Sequence, residues 1–77
     1  MNIVDKKTIE TICKLIKMYS EIGEIVFELK TLKSIHSNKH IDNAITKLFE
    51  TMKIINEAAI QLKYYIVESG RNEETTK

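Results

Sequence analysis

The apolar residues between Ile41 and Ile66 recur in alternating steps of four and three, without a miss. At ~3.6 residues per turn this spacing places them on one stripe of an α-helix, with polar residues on the opposite side. Such a stripe needs a partner surface along its whole length. It consists of Ile41, Ile45, Leu48, Met52, Ile55, Ala59, Leu62 and Ile66.

A second stripe, between residues 5 and 35, is the predicted partner surface. Its continuation in steps of seven falls on polar residues such as Lys33, His36 and His40, whereas the later stripe begins at Ile41. One uninterrupted helix would therefore lose its apolar face near residue 38. Ser37 and Asn38 favour helix ends over helix interiors. The second stripe consists of Ile12, Leu15, Tyr19, Ile22, Val26 and Leu29.

These patterns predict an all-α fold, an antiparallel helical hairpin that assembles into an oligomeric helical bundle. The hairpin domain covers 1–70, with helices at about 5–35 and 39–69 and a turn at 36–38. We expect Asn38 to cap the second helix and Gly70 to end it, since glycine is the usual residue after a helix C-cap. The polar segment 71–77 is predicted to be a flexible tail.

Oligomerisation is expected because both helices have more apolar surface than one antiparallel neighbour covers. A chain of 77 residues buries little surface by itself. Cys13 is its single cysteine, so no internal disulfide assists folding, and a lone thiol fits a reducing compartment. We expect a homo-oligomer, from a dimer to a hexamer. The predicted interface residues are Ile25, Phe49, Ile54, Ile60 and Val67.

The net charge of +1 conceals an uneven distribution. Residues 30–47 contain four lysines and one aspartate, a net charge of +3, whereas 18–29 and 48–59 together carry −4. A hairpin would therefore have a basic tip, which favours an anionic ligand. The alternative is that these lysines are simply solvated near a helix C-terminus. The near-neutral total makes nucleic acid an unlikely partner.

The start of the second helix is the predicted anion site, because free backbone N–H groups there bind phosphate. Lys39 is the expected phosphate ligand, beside the helix start at Asn38 and His40. Lys33 and Thr46 are weaker candidates, and Tyr19 is a candidate for stacking a base. No P-loop, nucleophile elbow or cysteine pair is present. We therefore expect no enzyme, no cofactor and no metal site.

One segment of the second helix also resembles a known family. Asn38 and Lys39 stand where that family has Ser-Arg, and residues 44–48 with Glu50 follow its Ala-Leu-Thr-Lys-Leu segment. Residues 56–58, Asn-Glu-Ala, match the part that comes after a tryptophan, although this chain has Ile54 in the tryptophan's place. In these residues the chain resembles the hairpin domain of phage-encoded nucleotide sponges, which counter CBASS and Thoeris defence.

The resemblance implies a compact helical oligomer that binds cyclic di- or trinucleotides, or cyclic ADP-ribose signals, at subunit interfaces. Such proteins sequester the signal without cleaving it. It also implies a cytoplasmic location in a bacterial host cell, which fits the lack of an apolar run of ~20 residues or a secretion signal. The alternative is a small phage or plasmid regulator that docks on a host protein through Ile54, Ile60 and Val67.

Overall fold

Two long helices form the whole of the described fold. The structure, a computed structural model, describes residues 3–76, and the side chains of residues 3–70. Helix α1 spans Ile3–Ile35 and helix α2 spans Lys39–Thr76, joined by residues 36–38. The predicted all-α hairpin is confirmed. Met1, Asn2 and Lys77 lie outside the described residues.

Asn38 caps α2 with both its side chain and its backbone. The backbone N–H of His40 donates to Asn38 Oδ1 at 2.7 Å. The N–H groups of Ile41 and Asp42 donate to the Asn38 carbonyl oxygen at 3.1 and 3.2 Å. The His40 bond satisfies a donor that a helix start leaves without a partner, and the two bonds to the Asn38 carbonyl oxygen begin the helical pattern. The chain therefore breaks where the two apolar stripes lose phase.

The two predicted stripes form the seam between the helices. Ile45, Ile55 and Ala59 of α2 are buried, and the other five residues of that stripe are half-buried. In α1, Ile12 and Val26 are buried. Tyr19 is the exception, because its side chain stays 40% exposed although it belongs to the stripe.

The antiparallel pairing keeps one register along much of the hairpin. A Cβ atom built on Gly23 would lie 3.6 Å from Met52 Cε. Lys33 lies ten residues after Gly23 on α1, and Asp42 lies ten residues before Met52 on α2. Lys33 Nζ lies 2.6 Å from Asp42 Oδ1. The same number of residues separates these two contacts on each helix, so the two stripes keep one antiparallel register between them.

The end of α2 differs from the prediction. The helix was expected to end at about residue 69, with Gly70 as the residue after the C-cap, but it continues through Gly70 to Thr76. Neither glycine has a positive φ, so Gly70 does not adopt the left-handed conformation that ends helices. A glycine without that conformation weakens a helix but does not stop it. The flexibility expected for 71–77 stays a prediction.

The hairpin is far more extended than a compact protein of its size. Its Cα extents are 62 × 15 × 11 Å and its radius of gyration is 17.8 Å, against about 11.5 Å for a compact domain of this length. It exposes 6258 Å² of accessible surface, whereas a folded monomer of this mass exposes about 4,800 Å². A single hairpin thus leaves much of its apolar surface in contact with water.

Within residues 3–76, neither helix combines the length and the apolar character that crossing a membrane requires.

Candidate functional site

Most of the large exposed apolar side chains lie on two opposite faces of the hairpin. On each helix, the residue that follows every second seam residue lies on one side of the antiparallel pair, as Ile16 and Phe49 do. Positions directly before the intervening seam residues, such as Met18 and Ile25, turn to the other. The Phe49 face contains Ile9, Ile16 and Phe49, together with Phe27, Ile60 and Val67, which follow the intervening seam residues at its outer edge. The Ile25 face contains Met18, Ile25, Leu32 and Tyr65, together with Ile54 at its outer edge.

Contacts between the two helices support this assignment of residues to the Phe49 face. Lys30 Nζ of α1 lies 5.0 Å from the centroid of the Phe49 ring of α2, within cation–π range. Ile16 of α1 lines the same groove as Asn56 and Lys63 of α2. Residues that follow seam positions on the two helices therefore meet on one side, as helical geometry requires.

The larger of the two described grooves opens on the Phe49 face near the middle of the hairpin and has a volume of about 270 Å³. Tyr19 provides an aromatic ring in this groove, Asn56 an amide and Lys63 an ammonium group. The remaining wall is apolar and consists of Leu15, Ile16, Ile55 and Ala59. An apolar concavity with a few polar groups is typical of small-molecule sites.

A second groove, of about 240 Å³, lies nearer the tip on the same face. Phe27 and Phe49 form its rims, and Lys30 lies over the Phe49 ring. Gly23 contributes to its floor, and the nearest atom to a Cβ there would be the flexible end of Met52. This groove is therefore deepened by the missing side chain of Gly23.

The tip brings together four of the predicted ligand residues, but two of them already have partners. Lys33 is paired with Asp42 across the turn, and the side chain of Asn38 accepts the His40 N–H. Lys39 and His40 are exposed. The pair with Asp42 offsets one positive charge of the tip, and the cap occupies one N–H group that an anion would use.

Tyr19 and Thr46 lie away from the tip. Fourteen residues separate Tyr19 from Lys33 along α1, a distance of about 21 Å. Thr46 is exposed and lies about 9 Å along α2 from His40. A single hairpin thus holds two separate candidate places, the tip with Lys39 and the groove with Tyr19, and does not combine them.

Sequence reasoning did not select Asn56 or Lys63 as ligand residues, although the structure places both beside Tyr19. The sequence did contain a signal for their position, since they directly follow Ile55 and Leu62 of the seam. That signal places them beside Tyr19 only when the register between the two helices is known, because Tyr19 belongs to the other helix. Lys30 was missed as a partner of Phe49 for the same reason.

The predicted interface residues are exposed but do not form one patch. Phe49, Ile60 and Val67 lie on the Phe49 face, whereas Ile25 and Ile54 lie on the Ile25 face. The expected oligomer interface therefore divides into two surfaces on opposite sides of the hairpin.

Among the residues that the structure describes, no group of three or more His, Cys, Asp and Glu side chains is arranged to hold a metal ion. Cys13 is exposed on α1.

No family model, curated protein or solved structure matches this chain. The resemblance to nucleotide sponges therefore has no support beyond residues 38–58.

Proposed function

We propose that this chain is a non-enzymatic binding protein that works as a homo-oligomer and sequesters an anionic cyclic nucleotide signal. The groove that holds Tyr19, Asn56 and Lys63 is the observation that carries the proposal. The proposed location is the cytoplasm of a bacterial host cell, where a phage anti-defence protein of this kind would act.

The three polar groups of the groove suit the parts of a nucleotide. The half-exposed Tyr19 ring offers a face on which a base stacks. Lys63 supplies a cation for a phosphate, and Asn56 supplies both a donor and an acceptor for a base edge. Each group therefore has a chemically matched partner in one ligand.

The open shape of the groove connects ligand binding with self-association. Small-molecule sites bury most of their ligand, about 70–90% of its surface, whereas this groove lies between only two helices. On ligand binding, a neighbouring hairpin would cover the groove and supply the missing wall. Sequestration needs no reaction, which agrees with the lack of catalytic motifs in the sequence.

Lys39 and His40 at the tip are the other proposed place of phosphate contact. Both are exposed at the positive end of α2. In an assembly, the tip of one hairpin and the groove of another are able to share one ligand, which a single hairpin does not allow.

Calorimetric titration with cyclic dinucleotides, cyclic trinucleotides and cyclic ADP-ribose tests the proposal. We expect heat of binding with at least one ligand, and no heat across the panel would overturn the proposal. The variant Lys63→Ala should weaken binding at least tenfold, as expected for a lost charged hydrogen bond. Lys39→Ala tests the tip in the same way, and Lys17→Ala, on the exposed side of α1, is the matched control.

The second candidate function is docking on a host protein. It is favoured by Phe27 and Ile54, which are 71% and 63% exposed and lie at the outer edges of the two faces. Large apolar side chains at such positions are typical of protein contacts. Recovery of one host protein at equal stoichiometry, with no nucleotide bound, would favour this candidate over the first.

A further inference from the structure

Eight positions, seven of which directly precede seam residues, form a row without any charge. The row runs along the Ile25 face on both helices and repeats every seven residues. From Thr11 to Leu32 it extends about 32 Å. The uncharged row consists of Thr11, Met18, Ile25 and Leu32 on α1 and of Ala44, Thr51, Ala58 and Tyr65 on α2.

The lack of charge in the uncharged row is unusual for positions that face water. In paired helices these flanking positions often hold Glu or Lys, and charged residues make up 30% of this chain. The corresponding positions on the Phe49 face include Lys30 and Lys63. The two sides of the seam are therefore built differently, and the uncharged row has the composition of a buried surface.

The threonine hydroxyl groups of the uncharged row already have hydrogen-bond partners within their own helices. Thr11 Oγ1 donates to the Lys7 carbonyl oxygen at 2.9 Å. Thr51 Oγ1 donates to the Lys47 carbonyl oxygen at 2.8 Å. Hydroxyl groups with a partner within their own helix cost little when water is removed. Tyr65 is 45% exposed and lies at one end of the row, a position that allows a tyrosine hydroxyl to stay in water at the rim of a contact.

We infer that the Ile25 face packs against a second copy of this chain to form a four-helix bundle. A row with a seven-residue period follows a left-handed supercoil, so its partner needs the same period over about 32 Å. A second hairpin has that period on the same face. The identical uncharged rows of two copies are self-complementary, as a two-fold contact requires.

The exposed area is sufficient for such a dimer. The hairpin exposes roughly 1,400 Å² more than a compact monomer of its mass. A stable interface buries about 800 Å² on each partner. The excess over the whole hairpin is thus larger than the area that one such contact removes, and packing through the Ile25 face would leave the Phe49 face and its grooves open.

This inference rests on the self-association part of the proposed function and is independent of any nucleotide. Failure of the calorimetric titration would leave it standing, whereas failure of the test below would leave the groove as a candidate site.

The test compares lysine substitutions on the two faces of α1. Ile25 and Ile16 are similar in exposure, 46% and 52%, but lie on opposite faces. In Ile25→Lys the new ammonium group lies one turn from Glu21 and Glu28, which supports the isolated helix. Sedimentation equilibrium of the ligand-free proteins should show a mass of one chain, 8.9 kDa, for Ile25→Lys and the unchanged oligomer mass for Ile16→Lys.

A second variant protects the test against a folding defect. Ala58→Lys places a charge in the uncharged row of α2 at an exposed position, without removing an apolar side chain from the seam. It should also lower the mass while helical circular dichroism is retained. Wild-type protein at 8.9 kDa would overturn the inference. So would a loss of mass in Ile16→Lys, or an unchanged mass in both Ile25→Lys and Ala58→Lys.

Discussion

Lys33 Nζ lies 2.6 Å from Asp42 Oδ1, and this ion pair joins the last turn of α1 to the first turn of α2. Asp42 also lies at the positive end of the α2 dipole, where a carboxylate is favourable. Both side chains are 47% exposed, so solvent screens the attraction. The pair therefore orients the turn more than it stabilises the fold.

A double-mutant cycle with Lys33→Ala and Asp42→Ala should give a coupling free energy below about 1 kcal/mol. The coupling should decrease further in high salt because the pair is exposed. Chemical denaturation of the four proteins measures it. A coupling of several kcal/mol, insensitive to salt, would show that the pair is much less hydrated than the structure indicates.

Replacement of Asn38 by Ala should reduce the free energy of unfolding by about 1 kcal/mol. The reason is that the Asn38 side chain accepts the His40 N–H at 2.7 Å and no methyl group replaces that acceptor. Asn38→Ser is the control, since serine is an equally good cap. Equal losses in both variants would contradict a capping role.

Replacement of Gly23 by Ala should stabilise the hairpin by about 0.5–1 kcal/mol, since glycine is a poor residue inside a helix. The new methyl group would meet Met52 Cε at 3.6 Å, which is ordinary contact. Thermal unfolding of Gly23→Ala measures the effect, with Gly70→Ala as a control because no atom lies near its Cβ position. Destabilisation by Gly23→Ala alone would show that another chain approaches this position in the assembly.

Ile54 and Ile55 are adjacent in sequence but differ in exposure. Alanine substitutions at the two positions should therefore lower the free energy of unfolding by different amounts. Ile55 is 8% exposed and Ile54 is 63% exposed. Ile55→Ala should cost about 2 kcal/mol or more, because it removes buried methyl groups and leaves a cavity. Ile54→Ala should cost clearly less than Ile55→Ala, because Ile54 lies at the outer edge of the Ile25 face and its truncation leaves no cavity within the hairpin. Denaturant midpoints of the two variants check this, and equal losses would contradict the assigned seam.

The hairpin and its seam were predictable because a step pattern of four and three fixes which side of each helix is buried. The loss of phase between Leu29 and Ile41 placed the turn, and Asn38 supplied the cap. The end of α2 was not predictable in the same way, since Gly70 permits either a stop or a continuing helix. Local residue preferences do not decide between these two outcomes.

The groove was not predicted because its residues come from both helices. Tyr19 was selected from α1 alone, while Asn56 and Lys63 reach it only through the antiparallel register. The division of Ile25 and Phe49 between two faces has the same origin. Both residues flank a seam, and the side on which each lies follows from its place before or after a seam residue.

Sedimentation equilibrium of the unmodified protein over a wide range of concentration tests the central claim most directly. The claim is that one hairpin exposes more apolar surface than it can leave in water, so that copies associate. We expect a mass that is a multiple of 8.9 kDa, with dissociation on dilution. A stably folded single chain of 8.9 kDa at every concentration would contradict the account.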